Sequence, residues 1–294
     1  MANLKEIRTR ITSVKTTRQV TSAMKMVSAA KLKKAQDAIL QIRPYAGKLA
    51  ELLSSLSSAL ESSEGSVYTV QRNPEKVLIV LISSNRGLCG GFNSYIAKKA
   101  IQLAKSTTYA KQLKAGKLDF MVVGKQGGKV LRSYQFQVAG DKNYLFDNLT
   151  FEPVSEVATS LMADFINGKY DRIDLVYNKF INAASQELVT EQFLPVLPSI
   201  ADSHKQHTDN YIFEPSLEYI IEILIPRSLK IQFYKALLDS HAAEHGARMT
   251  AMHKATDNAT DLINELTLNF NKARQAAITN AILEVTSGSE ALNG

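Results

Sequence analysis

The chain has 294 residues, a net charge of +7 and one cysteine, Cys89, which excludes a disulfide framework within the chain and fits a reducing compartment. It contains no run of 18 apolar residues, so no segment is expected to cross a membrane, and its first residues lack the apolar core of a secretory signal. Residues 1–60 carry 11 Lys/Arg against three acids, whereas the rest of the chain is close to neutral. This basic segment predicts either a solvated helix face or a docking surface for an acidic partner or a nucleic acid.

Glycine and proline are almost absent from both ends of the chain. Residues 1–64 contain only Pro44 and Gly47, and residues 227–287 contain only Gly246. These segments predict two long helices that flank a compact domain, and a helix of about 60 residues would run roughly 90 Å. If the helices pair, they form an antiparallel rod, which indicates a mechanical or connective function rather than a catalytic one.

An apolar seam with three- and four-residue spacing follows the first helix, as is typical of an amphipathic helix. Its members are Leu4, Ile7, Ile11, Val14, Val20, Met24, Val27, Ile39, Ile42, Tyr45, Leu49, Leu52 and Leu56. Serine-rich residues 54–58 mark the expected end of the seam.

The segment between the two helices alternates strand and helix patterns, which predicts an α/β domain with a partly parallel sheet. The predicted strands are 77–83, 120–123, 136–138, 172–180 and 188–194, and the predicted helices are 92–105 and 154–166. The first strand is an unbroken apolar run, typical of a strand that is buried on both faces. The last two strands are expected to close the sheet as a hairpin.

The C-terminal helix carries its own seam, which narrows to alanine. Its members are Met249, Met252, Leu262, Leu266, Phe270, Ala273, Ala277 and Ala281. Small side chains would keep the end of this helix slim. Pro226 is expected to separate the helix from a preceding helical piece at 216–224.

A glycine-rich turn, RGLCGG at 86–91, follows the first strand at the place where a phosphate-binding loop would lie. It matches neither GxGxxG nor GxxxxGK[ST], and the glycines at 124 and 127–128 also fail both patterns. The pattern therefore predicts a tight turn with positive φ angles. Cys89 beside these glycines is interpreted as a small packing residue.

Residues 241–245 read H-x-x-E-H, the pattern of one class of zinc peptidase. Such a site also needs a third ligand and a closed pocket, and a rod-like helix offers few pocket walls, so we interpret the pattern as a solvated polar patch. A zinc hydrolase is kept as an alternative, which one bound zinc per chain and chelator-sensitive activity would support. A nucleic-acid-binding coiled coil is a second alternative, although Tyr45 is the only aromatic residue in the basic arm.

Motifs along the whole chain resemble those of the gamma subunits of F-type rotary ATP synthases. The matching segments are KEIR at 5–8, residues 11–15, AMKMV at 23–27, RPY at 43–45, the turn at 85–92, Glu244, ARM at 247–249, AM at 251–252, ATDNA at 255–259, NKARQAAIT at 271–279, Glu284 and SG at 287–288. In this resemblance Glu244 is the family's glutamate before the ARM segment, and the flanking histidines are incidental. Ala281 stands where the family often has glutamate, so a polar contact is not expected there.

The resemblance implies an α/β fold in which both termini form a long antiparallel two-helix coiled coil beside a central Rossmann-like domain without a nucleotide site. The expected boundaries are 1–64 for the N-terminal helix, 65–210 for the central domain and 211–294 for the C-terminal helix. The implied function is the central rotor shaft of the ATP synthase, which couples ion-driven rotation of the c-ring to conformational cycling of the catalytic beta subunits. The family has no active site, cofactor or metal of its own.

The implied partners are the alpha and beta subunits of the catalytic hexamer, the epsilon subunit and the c-ring, with no nucleic acid. The residues expected to touch the catalytic hexamer are Met24, Lys25, Arg274, Gln275 and Thr279, and those expected to touch the c-ring are Phe213 and Glu214. The implied location is the cytoplasmic face of a bacterial inner membrane, held there peripherally, or the matrix side of the mitochondrial inner membrane for a eukaryotic chain. The paired cysteines of the chloroplast-type insert are absent, so no thiol switch is expected.

Overall fold

The computed structural model describes residues 4–55, 67–196 and 217–293 of the chain. In chain order, the elements are α1 Leu4–Ser55, β1 Val77–Ile82, α2 Phe92–Lys105, α3 Ala110–Lys114, β2 Leu118–Val123, α4 Lys125–Ser133, β3 Val138–Asp141, a 3₁₀ turn Asn143–Phe146, α5 Phe151–Ile166, β4 Arg172–Phe180, β5 Gln186–Leu194 and α6 Leu217–Asn293. The chain divides into two compact units, one made of residues 1–28 and 249–294 and the other of residues 29–248.

The larger unit, residues 29–248, is built on a five-stranded sheet with the order β3-β2-β1-β4-β5. The first four strands in this order are mutually parallel, and β5 returns antiparallel to β4. All six residues of β1 are buried, because the strand lies at the centre of the sheet with both faces covered. The predicted buried strand and the predicted closing hairpin are both confirmed.

Part of α6 belongs to the core of this unit. Ile225, Leu229 and Phe233 join the apolar cluster that surrounds β1 and β4. The ring of Tyr234 meets that of Phe151 edge-on, with centroids 5.6 Å apart, so α5 and α6 lie side by side. Within the same unit, Arg227 lies 5.5 Å from the Tyr45 ring centroid and the charge of Lys31 acts on His241, so α1 and α6 run antiparallel here.

The prediction that Pro226 ends a helical piece was wrong, because α6 continues through it. A proline inside a helix costs about 3 kcal/mol or more. The neighbouring Ile225 and Leu229 are 1% and 2% exposed, and burying a side chain of that size contributes about 1.5–3 kcal/mol. Packing on both sides of the proline therefore offsets the missing hydrogen bond.

Two short segments also differ from the predictions. The third strand covers Val138–Asp141 rather than 136–138, because Gln135 leaves α4 with φ 64° and the Phe136 ring packs edge-on against Phe120. The glycines at 127 and 128 lie inside α4 rather than in a turn. A Cβ at Gly127 would lie 2.5 Å from the Ser83 Oγ, so the glycine allows α4 to approach the end of β1.

In the smaller unit, residues 4–28 of α1 pair with the part of α6 that lies between residues 249 and 273. The Thr256 hydroxyl donates to the Thr21 hydroxyl across the two helices at 2.9 Å. The buried apolar side chains described in this unit are Ile7 on α1 and Met252, Ala259 and Ile263 on α6, which are 8%, 5%, 7% and 8% exposed. The packing in this unit is therefore thin compared with a domain core.

The predicted seam of α1 was wrong in its middle. Val20 and Val27 are 52% and 58% exposed, whereas Thr21 and Ser28 are buried. The inward-facing positions alternate spacings of four and three residues at 7, 11, 14, 18, 21, 25, 28, 32, 35 and 39. The buried side of α1 therefore follows a continuous heptad repeat, even where the repeat buries a polar residue and leaves the neighbouring valine exposed. The same shift on α6 exposes Leu262 and buries Ile263.

Candidate functional site

The glycine-rich turn after β1 is confirmed as a tight turn with positive φ angles. Leu88 and Gly90 have φ angles of 62° and 60°, and the Leu88 side chain is 64% exposed. Ser84 and Asn93 hold the base of the turn, because the Ser84 backbone N–H donates to the Asn93 Oδ1 at 3.0 Å. We call residues 84–91 the β1 loop.

The N-terminus of α4, at the carboxyl edge of the sheet, is filled by hydrogen bonds of the chain itself. The backbone N–H groups of residues 124 to 127, which are the N-cap and the first three residues of α4, each donate to an acceptor of the chain. In chain order these acceptors are Asn143 Oδ1, Asn85 Oδ1, Ser84 O and Ser83 Oγ. A helix N-terminus binds phosphate through N–H groups that point at the ligand. Here side chains and one carbonyl oxygen already occupy those groups, which agrees with the failure of both nucleotide-binding patterns.

A buried arginine on α6 fixes the β1 loop to the helix. The Arg248 guanidinium donates to the backbone oxygens of Arg86 and Gly87 at 3.0 and 3.2 Å. It also pairs with Glu244 one helical turn earlier, with Nη2 and Oε1 2.7 Å apart. Arg248 and Glu244 are each 6% exposed, so the two charges compensate one another away from solvent, and the loop carbonyls accept further hydrogen bonds from the guanidinium. We call this arrangement the loop clamp.

Two histidines extend the loop clamp along α6. Arg248 Nη1 lies 3.3 Å from His245 Nδ1, and His245 Nε2 lies 3.1 Å from His241 Nε2. Because arginine can only donate, His245 must accept at Nδ1 and carry its proton at Nε2, which it donates to His241. Both rings are therefore neutral in this arrangement, and the His241 ring stacks on Phe146 at 5.8 Å.

The surroundings of the two histidines favour their neutral forms. The pKa of His241 is lowered to about 4 and that of His245 to about 3, in both cases mainly by burial. The positive charges of Lys31 and Arg248 contribute to both shifts, and His241 contributes to the shift of His245. For Glu244, burial raises the pKa and the adjacent Arg248 opposes that rise. The interpretation of residues 241–245 as a solvated patch was wrong, since Glu244 and His245 are 6% and 5% exposed.

No metal centre accompanies these histidines in the described part of the chain. Across residues 4–55, 67–196 and 217–293, no three His, Cys, Asp or Glu side chains lie close enough together to hold a metal ion. The nearby charges of Lys31, Lys34 and Arg248 would also repel a cation.

Cys89 lies beneath the β1 loop and is 2% exposed. The Asn93 side-chain amide donates to its sulfur at 3.2 Å. Burial raises the pKa of the thiol, with a smaller opposing effect from Arg248. Its interpretation as a packing residue is consistent with this enclosed position.

The residues expected to contact the catalytic hexamer form two separate groups in the smaller unit. Met24 and Lys25 are partly buried on α1, one turn beyond Thr21, whereas Arg274, Gln275 and Thr279 are all exposed on α6. Arg274 is 18 residues beyond Thr256, which is about 27 Å along the helix. Phe213 and Glu214, expected at the c-ring, lie outside the described residues.

The last part of α6 is exposed throughout. Every residue from 274 to 290 is exposed, and the large apolar side chains are no exception. Their exposed fractions are 52% for Ile278, 58% for Ile282, 57% for Leu283 and 73% for Val285. We call residues 274–290 the α6 tip. The helices in the described residues contain no stretch apolar and long enough to span a bilayer.

The loop clamp was not predicted from the sequence, although two signals were present. Glu244 and Arg248 have the i, i+4 spacing of a helical ion pair, and Arg86 and Gly87 belong to the same set of family motifs. A buried ion pair requires additional hydrogen bonds to be stable. The backbone oxygens of the β1 loop supply these bonds, and no sequence pattern marks a backbone acceptor.

Comparison with known proteins first defines the class of this chain. A family model described as ATP synthase matches residues 3–292. The ATP synthase gamma chain of Flavobacterium johnsoniae is 59% identical over 295 residues, and that of Christiangramia forsetii is 53% identical over 294 residues. Both matches cover 100% of this chain and of the relative. The chain belongs to the family of ATP synthase gamma chains, as its motifs indicated.

Solved structures share the fold. A chain in the Tetrahymena thermophila mitochondrial ATP synthase central stalk/c-ring structure aligns with a TM-score of 0.60 at 24% identity, covering 80% of this chain and 99% of that chain. A chain in the Euglena gracilis mitochondrial ATP synthase OSCP/F1/c-ring structure aligns with a TM-score of 0.69 at 21% identity, covering 98% and 94%. The predicted fold class, two long terminal helices with a central α/β domain, is confirmed.

Proposed function

We propose that this chain is the central rotor shaft of an F-type ATP synthase. In this role it couples rotation of an ion-driven c-ring to conformational cycling of catalytic beta subunits. A shaft can drive such cycling only if it contacts the catalytic subunits differently at different angles. The chain therefore acts through differential contacts, and the synthesis and hydrolysis of ATP take place in the beta subunits.

The observation that carries this proposal is the exposure of the α6 tip. Four large apolar side chains of this segment are more than half exposed. A helix at the surface of a soluble protein normally packs its apolar side chains against another element, and here that packing surface is missing. An apolar bearing formed by a surrounding ring of alpha and beta subunits would supply the missing face. The small side chains of Ala276, Ala277 and Ala281 suit rotation in a narrow space.

The proposed contacts follow from charge and position. Met24 and Lys25 would meet the catalytic subunits at the lower part of the hexamer, and Arg274, Gln275 and Thr279 would form the upper contact. Nine Lys/Arg against Glu6 alone in residues 1–34 suit an acidic partner surface, because complementary charge guides and orders such contacts. Phe213 and Glu214 are proposed c-ring contacts.

The remaining assignments also belong to the proposal. The partners are the alpha, beta and epsilon subunits and the c-ring, and the chain is held peripherally at the cytoplasmic face of a bacterial inner membrane through them. The chain has no active site or cofactor of its own. The occupied N–H groups at the N-terminus of α4 support this assignment, since this helix begins at the sheet edge where an open α/β sheet usually binds a nucleotide.

Purification of the tagged chain from native membranes tests the proposal. We expect a large particle with ATPase activity that contains one copy of this chain and three copies each of two larger subunits, counted by native mass measurement. Recovery of a lone chain would contradict the assignment to a rotor shaft.

A second test concerns the upper contact. In inverted membrane vesicles, Arg274→Ala should lower the protons pumped per ATP hydrolysed, because the tip loses a charged contact while the fold is unchanged. The control is Arg132→Ala, which removes an exposed arginine from α4. Unchanged pumping by Arg274→Ala would contradict the role of this residue.

A further inference from the structure

A second basic surface lies on the α/β domain, away from the basic arm of α1. Residues 92–142 carry ten Lys/Arg against Asp119 and Asp141 only. Both acids are engaged elsewhere, since Asp119 accepts from the Tyr170 hydroxyl at 3.0 Å and Asp141 accepts from the Asn143 backbone N–H at 2.9 Å. Acidic residues after position 142 cancel this charge in the sum for the whole domain, so the net charge of the domain does not reveal it.

The bases of this segment are largely uncompensated. Lys117 pairs with Glu75 at 2.9 Å. Within the described residues, none of the other nine bases has a carboxylate oxygen within 4.0 Å. A surface of one sign without internal partners raises the local concentration of ligands of the opposite sign.

Residues of this segment line a groove of about 360 Å³. Its lining consists of Lys98, Ile101, Gln102, Lys105 and Tyr134. The four α2 residues have i, i+3, i+4 and i+7 spacing, so they share one face of the helix. Ile101 provides the apolar floor, and the half-exposed Tyr134 ring, 50% exposed, provides a wall. Lys98 and Lys105 stand two turns apart, about 10.5 Å along the axis.

We propose that this groove docks an acidic, amphipathic helical segment of a partner protein. One large apolar side chain of the segment lies on Ile101 and against the Tyr134 ring. Carboxylates seven residues apart on the same segment reach Lys98 and Lys105, since two helical turns separate both pairs. This helix-in-groove arrangement uses the apolar contact for affinity and the two charge pairs for register.

The shape of the groove favours a peptide over the other anionic ligands. A platform for single-stranded nucleic acid stacks successive bases on several rings, whereas Tyr134 is the only aromatic residue that lines this groove. A lipid surface binds to a basic patch that faces a plane, whereas here the lysines flank a concavity with an apolar floor. The Phe136 ring also holds the Lys105 ammonium, 6.0 Å from its centroid, at the edge of the concavity.

The test uses the purified full chain and a fluorescent helical peptide of about 15 residues. The peptide carries glutamates seven residues apart with a leucine between them. Anisotropy titrations compare it with a scrambled peptide of the same composition, an oligothymidine of similar length and vesicles of phosphatidylglycerol and phosphatidylcholine. The variant is Lys98→Gln with Lys105→Gln, and the matched control is Lys111→Gln with Lys114→Gln, which removes two charges outside the groove.

We expect the ordered peptide to bind more tightly than the scrambled one and the groove variant to lose about tenfold in affinity. The control variant should change affinity by less than about threefold. Tyr134→Ala should weaken binding of the ordered peptide while leaving the salt dependence of that binding unchanged. Equal binding of both peptides, equal losses in both double variants, no binding, or tighter binding of the oligothymidine or the vesicles would each overturn the proposal.

Discussion

The two halves of α6 differ in how far their side chains are buried by the rest of the chain. Between residues 229 and 248 almost every side chain is buried or partly buried, and this stretch carries both the sheet contacts and the loop clamp. In the α6 tip, residues 274–290, every side chain is exposed. One helix thus has a half whose apolar residues are buried by the chain's own fold and a half whose apolar residues that fold leaves exposed.

The largest expected effect is loss of the loop clamp. Arg248→Ala would leave Glu244 as a buried charge without its partner and free the carbonyl oxygens of the β1 loop. Breaking a buried pair in this way costs about 3–5 kcal/mol, measured as the free energy of unfolding in urea. Arg274→Ala, the matched change in the exposed tip, should cost less than about 0.5 kcal/mol.

Thiol labelling localises this effect. Cys89 is the only thiol of the chain and is buried beneath the β1 loop. In Arg248→Ala at neutral pH it should react with a maleimide faster than in the parent chain or in Arg274→Ala. Equal labelling rates in all three proteins would show that Arg248 does not hold the loop.

Acid should weaken the buried half in a predictable window. The folded pKa values of His241 and His245, about 4 and about 3, lie below their unfolded value. The unfolded chain therefore binds more protons as the pH falls below about 6.5, and stability decreases until each folded pKa is reached. At pH 5 the loss is about 2 kcal/mol for each histidine.

Other charged and titratable groups surround the two histidines, so a variant is needed that separates the contribution of the histidines to the acid sensitivity. Lys31 and Lys34 on α1 and Arg248 on α6 disfavour protonation of His241, while Glu244 has a raised pKa and so gains stability as the pH falls. His241→Gln with His245→Gln keeps neutral amide groups at both positions. Urea unfolding from pH 7 to pH 4.5 should show a shallower loss in this double variant, and an unchanged slope would assign the acid sensitivity to other groups.

The smallest expected effects come from two glycines on α6. A Cβ at Gly246 would lie 3.0 Å from the Ala183 carbonyl oxygen, whereas a Cβ at Gly288 would meet nothing within 4 Å. Gly246→Ala should therefore destabilise the chain by about 1 kcal/mol, since crowding outweighs the gain in helix propensity. Gly288→Ala should stabilise the local helix by up to about 1 kcal/mol, seen as slower amide exchange near the C-terminus.

The sequence predicts most of the fold because long, strongly patterned segments dominate it. The ends that are poor in glycine and proline predict α1 and α6, and the apolar run that begins at residue 77 predicts the central strand. Helix α4 was missed because its glycines serve close packing against Ser83 rather than a turn. Val20 and Val27 were misplaced because an unbroken heptad repeat with polar members decides which side of α1 is buried.

The candidate site was only partly predictable. Motif matches select Arg274, Gln275 and Thr279, and their exposure on α6 is compatible with partner contacts that stay a prediction. The burial of Glu244 and His245 depends on loop residues that lie 162 and 161 positions before Arg248, which local spacing does not encode. The basic groove could not be predicted from net charge, because the sum over a long segment does not show which charges share one face of a folded helix.

Observation of rotation tests the central claim most directly. In a reconstituted complex with catalytic hexamer, a bead can be attached to an exposed cysteine introduced by Asn148→Cys in a Cys89→Ser background. We predict unidirectional rotation of the bead during ATP hydrolysis, and loss of rotation with retained hydrolysis when Ile278, Ile282 and Leu283 are changed to serine. ATP hydrolysis with a stationary bead, in the complex whose α6 tip is unaltered, would contradict the account.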